Sequence, residues 1–200
     1  MNSSFWDQRF SEDEPVYGHE PNEFFASELA KLPTGKLLLP AEGQGRNALF
    51  AAKQGWEVHA FDYSEVARDY TLTQAAKAGV TIQYTLRDYA SLVLEENLYD
   101  AVGLVFAHSP AQLRPTIHGK IAQSLQPGGT IILEGFHKTQ LPLGTGGPKS
   151  EEMLFSEEEL IGDFSEWIQD IQIEQKRVTL SEGAYHRGEA EVIRLTGIRK

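Results

Sequence analysis

The chain has 200 residues, 40% of them hydrophobic and 24% charged, the balance of a single soluble globular domain spanning 1–200. It has no cysteine, which excludes disulfides, thiolate metal sites, iron–sulfur clusters and cysteine nucleophiles. A net charge of −11 argues against partners held through phosphates, so neither nucleic acid nor an anionic membrane surface is expected.

No apolar run approaches the ~18 residues of a spanning helix. The opening MNSSFWDQRF lacks a basic-then-apolar leader pattern, so a cytoplasmic protein is expected. The first 25 residues stand apart from the remainder: aromatic and acidic residues alternate there without a clean period. Phe24, Phe25 and Leu29 predict a helix running to Leu32, ended by Pro33-Thr34-Gly35.

From residue 35 the pattern becomes rhythmic. Leu37-Leu38-Leu39 predicts a buried strand, Gly43-Gln44-Gly45 a turn, and Ala48 to Ala52 a helix closed by Gly55. Val58 to Phe61 predicts a second strand ending at Asp62. Ser64 caps a helix that reaches Gly79, and Val80 to Tyr84 predicts a third strand. Residues 99–106 predict a fourth strand. Leu113, Ile117, Ile121 and Leu125 mark a helix, and Thr130 to Leu133 a fifth strand. Strands alternating with helices mean an α/β fold with a mainly parallel sheet.

The end breaks this rhythm. Ser156 to Glu159 is a capping box opening a helix towards Trp167 and Ile168. Residues 171–180 and 190–198 then predict two strands, joined by a stretch too short for a crossover helix. They must be antiparallel neighbours.

In an open α/β sheet, ligands bind outside the carboxyl ends of the strands. Those ends carry Glu42-Gly43-Gln44-Gly45, Asp62-Tyr63, Leu86-Arg87-Asp88 and Ala107-His108. Glycine lets backbone approach a ligand, a carboxylate can accept from two ribose hydroxyls, and Asp88 can accept from an adenine amine. The three features converge on an adenosine-type ligand. G-Q-G-R-N-A also fits the dinucleotide fingerprint, with Ala48 in the third place, so an NAD-dependent oxidoreductase competes with an S-adenosylmethionine enzyme; the terminal hairpin suits the latter.

On FWDQRF, YGHEPN, LLLPAEGQGRNALFAAKQG, VHAFDYS, LQPGGTIILEGF, TGGP and EGAYHRG, the chain resembles the class I S-adenosylmethionine-dependent methyltransferases. More narrowly it is similar to the TehB-like (tellurite-resistance) and thiopurine methyltransferase branch. The resemblance implies a Rossmann-like fold, with a mainly parallel seven-stranded sheet, a C-terminal antiparallel hairpin and helices on both faces. It implies methyl transfer to a small-molecule acceptor, soft thiol, selenium or tellurium nucleophiles among them, with S-adenosylhomocysteine as product. Glu42, Gly43 and Gly45 would line the methionine end, and Asp62 would take the ribose. Tyr63, Leu86 and Asp88 would flank the adenine, with Ala107 and His108 near the methyl. Trp6, Phe10 and Tyr17 would belong to a lid formed by residues 1–34 over a core of 35–200. Leu39 stands where the family has an acid, and Ala41 where it has its first glycine.

The acceptor site is expected at Tyr17, His108, Tyr185 and His186, which are also the candidate bases. No general base is assigned among them. The other histidines show no metal-ligand spacing, and no metal is expected. A catalytically silent cofactor-binding protein is the third reading. A monomer or weak homodimer is expected.

Overall fold

A computed structural model of the chain describes residues 3–12 and 14–200. Five strands come from the rhythmic part: β1 (Lys36–Pro40), β2 (Glu57–Asp62), β3 (Ile82–Leu86), β4 (Tyr99–Val105) and β5 (Leu125–Phe136). The hairpin adds β6 (Ile168–Glu182) and β7 (His186–Arg199). They form one sheet in the order β3-β2-β1-β4-β5-β7-β6. β1 to β5 pair in parallel, while β7 lies antiparallel between β5 and β6. This is the expected class I methyltransferase architecture.

The helices are α1 (Ser3–Phe10), α2 (Glu23–Leu29), α3 (Arg46–Lys53), α4 (Glu65–Ala78), α5 (Arg114–Ser124) and α6 (Glu157–Phe164). Local chemistry sets their ends. Ser64 accepts from the Ala67 amide, and Gly79 closes α4 in the left-handed conformation. Ser156 and Glu159 make the capping box of α6. α2 is shorter than its apolar pattern predicts: it stops at Leu29, and Lys31 and Leu32 donate three residues back in a tighter turn before Pro33.

Other boundaries differ as well: β5 runs from Leu125 to Phe136, well beyond the predicted Thr130 to Leu133, and α6 ends at Phe164, short of Trp167. β3 starts two residues late, because the Val80 amide still donates to Ala75 and completes the α4 cap. The final hairpin is longer than expected, its turn reduced to Gly183-Ala184-Tyr185. Gly183 has φ +67, and a β-carbon there would lie 2.4 Å from the Val16 carbonyl oxygen, so only glycine lets this turn meet the N-terminal segment.

Two apolar clusters lie on opposite faces of the sheet. One joins Leu38, Val102, Leu104, Ile131 and Leu133 to α5 and α6. The other joins Leu37, Leu39, Val58 and Ala60 to α2 and α3. A β-carbon at Gly103 would clash with both Phe25 and Leu39, at 2.6 and 2.7 Å. Leu39 is therefore part of the core, packed under α2. Burying side chains of this size contributes roughly 2 kcal/mol each. No described helix is long and apolar enough to cross a membrane.

Candidate active site

Strand order reverses between β1 and β4, so the crevice between their carboxyl ends is the topological switch point. Its floor is the loop from β1 to α3. The chain turns there through three left-handed residues: Ala41 (φ 51), Gly43 (φ 60) and Gly45 (φ 79). Ala41 thus adopts at the family's first-glycine place the backbone that glycine would favour. Gly45 has no room for a side chain, since a β-carbon would lie 2.3 Å from Thr71.

Gly43 is tied on both sides. Its amide donates to Asp62 Oδ2 at 3.2 Å, and its carbonyl accepts from the Tyr84 hydroxyl at 2.7 Å and from Thr71 at 3.3 Å. Asp62 ends β2 and accepts from the Ser64 amide through Oδ1 at 2.9 Å. Burial pushes its carboxyl above the usual range, against these amide hydrogen bonds. Leu86 is the register partner of Asp62 at the end of β3 and is 42% exposed. Asp88 follows two residues later, on the same edge.

Glu42 does not simply face the crevice. Oε1 accepts from the Ala48 amide at 2.8 Å and Oε2 from Asn47 Nδ2 at 3.4 Å, so its carboxylate caps α3, whose N-cap Gly45 has no side chain to do so. Burial raises Glu42 to about 7, more than those hydrogen bonds lower it.

The N-terminal segment covers this floor. The Phe10 ring stands where a Gly43 β-carbon would lie, 3.1 Å from Cζ. Trp6 stacks on Phe10 with centroids 5.3 Å apart. Asp7 accepts from the Ser64 hydroxyl at 2.6 Å, at the N-terminus of α4. Gln44 clamps the segment: Oε1 accepts from the Val16 amide at 3.0 Å and Nε2 donates to the Phe10 carbonyl at 3.3 Å. Sequence reasoning missed Gln44, which reads as the neutral position between two glycines.

At the β4 end, Ala107 is buried and Phe106 takes φ 51. His108 is fully engaged. Nδ1 pairs with the Met153 carbonyl at 2.8 Å, and Nε2 accepts from the Phe136 amide at 3.1 Å. Burial lowers it to about 4, so the ring is neutral and its nitrogens are spent on joining the loop before α6 to the end of β5.

Tyr17, Tyr185 and His186 come together. The His186 ring lies 4.5 Å from Tyr17 and 4.5 Å from Phe106, and Tyr17 lies 6.3 Å from Tyr185. Tyr185 donates to Glu12 at 2.6 Å and carries the Arg9 guanidinium 4.1 Å above its ring. His186 is 5% exposed, with Nδ1 3.2 Å from Glu182 Oε2. Asn22 was also missed, although its place before an apolar run is a capping signal. It caps α2 and donates to both Glu134 and Glu182.

Residues 40–129 match a family described as a methyltransferase domain. No curated protein matches the chain in sequence. Among solved structures it is similar in fold to one described as "Conversion of a Disulfide Bond into a Thioacetal Group during Echinomycin Biosynthesis". The TM-score is 0.79 at 17% identity, covering 99% of this chain and 91% of that one. It is also similar to TehB from Haemophilus influenzae, with TM-score 0.72 and 16% identity over 99% and 67% of the two chains. A third is phosphoethanolamine N-methyltransferase 2 of Haemonchus contortus in complex with S-adenosyl-L-methionine. Its TM-score is 0.69 at 16% identity, over 97% and 56%. The fold, and the methyltransferase family matched by residues 40–129, are those expected from the sequence. Among the described residues, no three His, Asp or Glu side chains gather as a metal site requires.

Proposed function

We propose that the chain transfers a methyl group from S-adenosylmethionine to a small-molecule acceptor. The observation that carries this reading is the Gly43–Asp62 junction, where a floor without side chains adjoins a carboxylate ending the neighbouring strand. Each Asp62 oxygen accepts one amide, leaving a lone pair on each for a vicinal diol. When bound, S-adenosylmethionine supplies an electrophilic methyl on a sulfonium.

Gly43 and Gly45 would approach the methionine end, and Asp62 the ribose. Tyr63, Leu86 and Asp88 would flank the adenine, with Trp6 above and Ala107 near the methyl. Glu42 and His108 contribute as supports of the floor and wall, since their polar atoms hold α3 and the loop before α6. The described part of residues 1–34 would act as the lid, with Phe10 leaving Gly43 to admit the ligand. Tyr17, Tyr185 and His186 meet the acceptor, with His186 able to receive its proton. The aromatic walls suit a soft acceptor, such as a thiol or a selenium or tellurium species.

A dinucleotide is disfavoured by the same geometry. A pyrophosphate needs the free amides and positive end of α3, yet the Glu42 carboxylate already occupies the Ala48 amide. The test is turnover of labelled S-adenosylmethionine against a panel of thiols, selenite, tellurite, phenols and amines. Methylation of at least one acceptor is expected. Binding of S-adenosylhomocysteine with no turnover on any of them favours the silent reading instead.

A further inference from the structure

His108 and His186 both stand near the carboxyl edge of the sheet, but their hydrogen bonding differs. His108 uses both ring nitrogens on backbone. His186 uses only Nδ1, and no described residue hydrogen-bonds its Nε2. That nitrogen belongs to a ring enclosed by Tyr17, Phe106 and Phe136, with centroids at 4.5, 4.5 and 5.1 Å.

What holds Nδ1 is a carboxylate with several donors. Glu182 ends β6, His186 begins β7, and the two are register partners across the three-residue turn. Glu182 Oε2 receives Arg46 Nη2 at 2.9 Å as well as His186 Nδ1 at 3.2 Å. Oε1 receives Asn22 Nδ2 at 3.1 Å. Arg46 is itself aimed by a second hydrogen bond, from Nη1 to the Tyr17 carbonyl at 3.2 Å. Burial pushes Glu182 up, but the His186 hydrogen bond and Arg46 outweigh it and hold the carboxyl at about 2. Such a carboxylate can only accept, so the proton of a neutral His186 must sit on Nδ1. Burial lowers His186 more than Glu182 raises it, which keeps the ring neutral near pH 7. The other charged or titratable groups facing it are Arg46, Arg9, Tyr17 and His108.

We propose that Glu182 is a positioning residue that fixes His186 in the Nδ1–H tautomer, leaving Nε2 as the proton acceptor of the acceptor pocket. The catalytic half of this statement rests on the methyltransferase reading above; the tautomer half does not. Arg46 lies on α3, directly after the glycine loop, and Asn22 caps α2. Glu182 therefore ties the hairpin to the elements that frame the crevice.

The experiment is a long-range proton–nitrogen spectrum of the full chain carrying 15N-labelled histidine, with His186 assigned by its loss in His186→Gln. At pH 7 the wild type is expected to show Nδ1 protonated and Nε2 unprotonated. Glu182→Gln should shift the balance towards the Nε2–H form by tenfold or more, as an amide in place of a carboxylate no longer dictates the tautomer. It should also make His186 protonate at lower pH, because an anion that favours the imidazolium is gone. Glu182→Asp should retain the wild-type tautomer. An Nε2–H wild type, or a Glu182→Gln spectrum identical to wild type, overturns the proposal; the wild-type result stands even if a variant fails to fold. S-adenosylhomocysteine titrated into the same samples separates the two claims. A wild type that does not bind it overturns the methyltransferase reading and leaves the tautomer assignment to its own spectrum.

Discussion

Asp62 accepts from Gly43 at the end of one strand and from Ser64 at the start of the next helix, so one carboxylate joins β2, α4 and the glycine loop. Replacing it by alanine removes two hydrogen bonds to a charged group, each of the ~1.5–3 kcal/mol class. Asp62→Ala is expected to weaken S-adenosylhomocysteine binding by about tenfold to a hundredfold, read by calorimetry. An unchanged affinity contradicts the assignment of the ribose to this residue.

Gln44 holds the N-terminal segment through two backbone groups, Val16 N and Phe10 O. Gln44→Ala leaves the Val16 amide buried without a partner, a cost of about 1–3 kcal/mol. The segment should then open more often. Limited proteolysis before residue 20 is expected to accelerate by about tenfold while the rest of the chain stays resistant. Cleavage at the wild-type rate would mean that Gln44 is not the clamp.

Glu42 gives a pH dependence with a defined sign. Its folded value of about 7 lies above the ordinary carboxyl value, so its contribution is fully present in acid and is lost as pH rises through 7. Glu42→Gln keeps an oxygen for the Ala48 amide and removes the ionisation. Relative to this variant, the wild type should lose about 2 kcal/mol between pH 5 and pH 8 in urea denaturation. Parallel stability curves across that range refute the shift.

Leu39 marks where the chain departs from the family's acid. It is fully buried in the apolar cluster of Phe25, Leu37 and Ala60, so a carboxylate here would lose its hydration. Leu39→Asp is expected to cost about 3–5 kcal/mol, enough to leave a large unfolded fraction by circular dichroism. A variant as stable as wild type would show that this position communicates with the crevice.

The parallel half of the sheet was legible because its signals are local. Short apolar runs lie between turn residues, and Ser64, Gly79 and Ser156 announce their helix ends by type and place. The Gly43–Asp62 junction was legible for the same reason, as two strand ends in the expected order. What stayed hidden depends on contacts across long stretches of chain. Phe10 on Gly43, Asn22 on Glu134 and Glu182, and Arg46 on Glu182 join segments that carry no shared period. The use of Glu42 as a cap was hidden as well, since a glycine N-cap does not reveal which side chain will replace it. His108 and His186 look alike in sequence and separate only when both nitrogens of each ring are followed to their partners.

The most direct measurement is a pair of calorimetric titrations, S-adenosylhomocysteine and NADH, into wild type and Asp62→Ala. The wild type is expected to bind S-adenosylhomocysteine, Asp62→Ala to bind it at least tenfold more weakly, and NADH to give no saturable signal. Binding of NADH alone, or of S-adenosylhomocysteine equally by both proteins, would contradict the assignment of Asp62 to the ribose of S-adenosylmethionine.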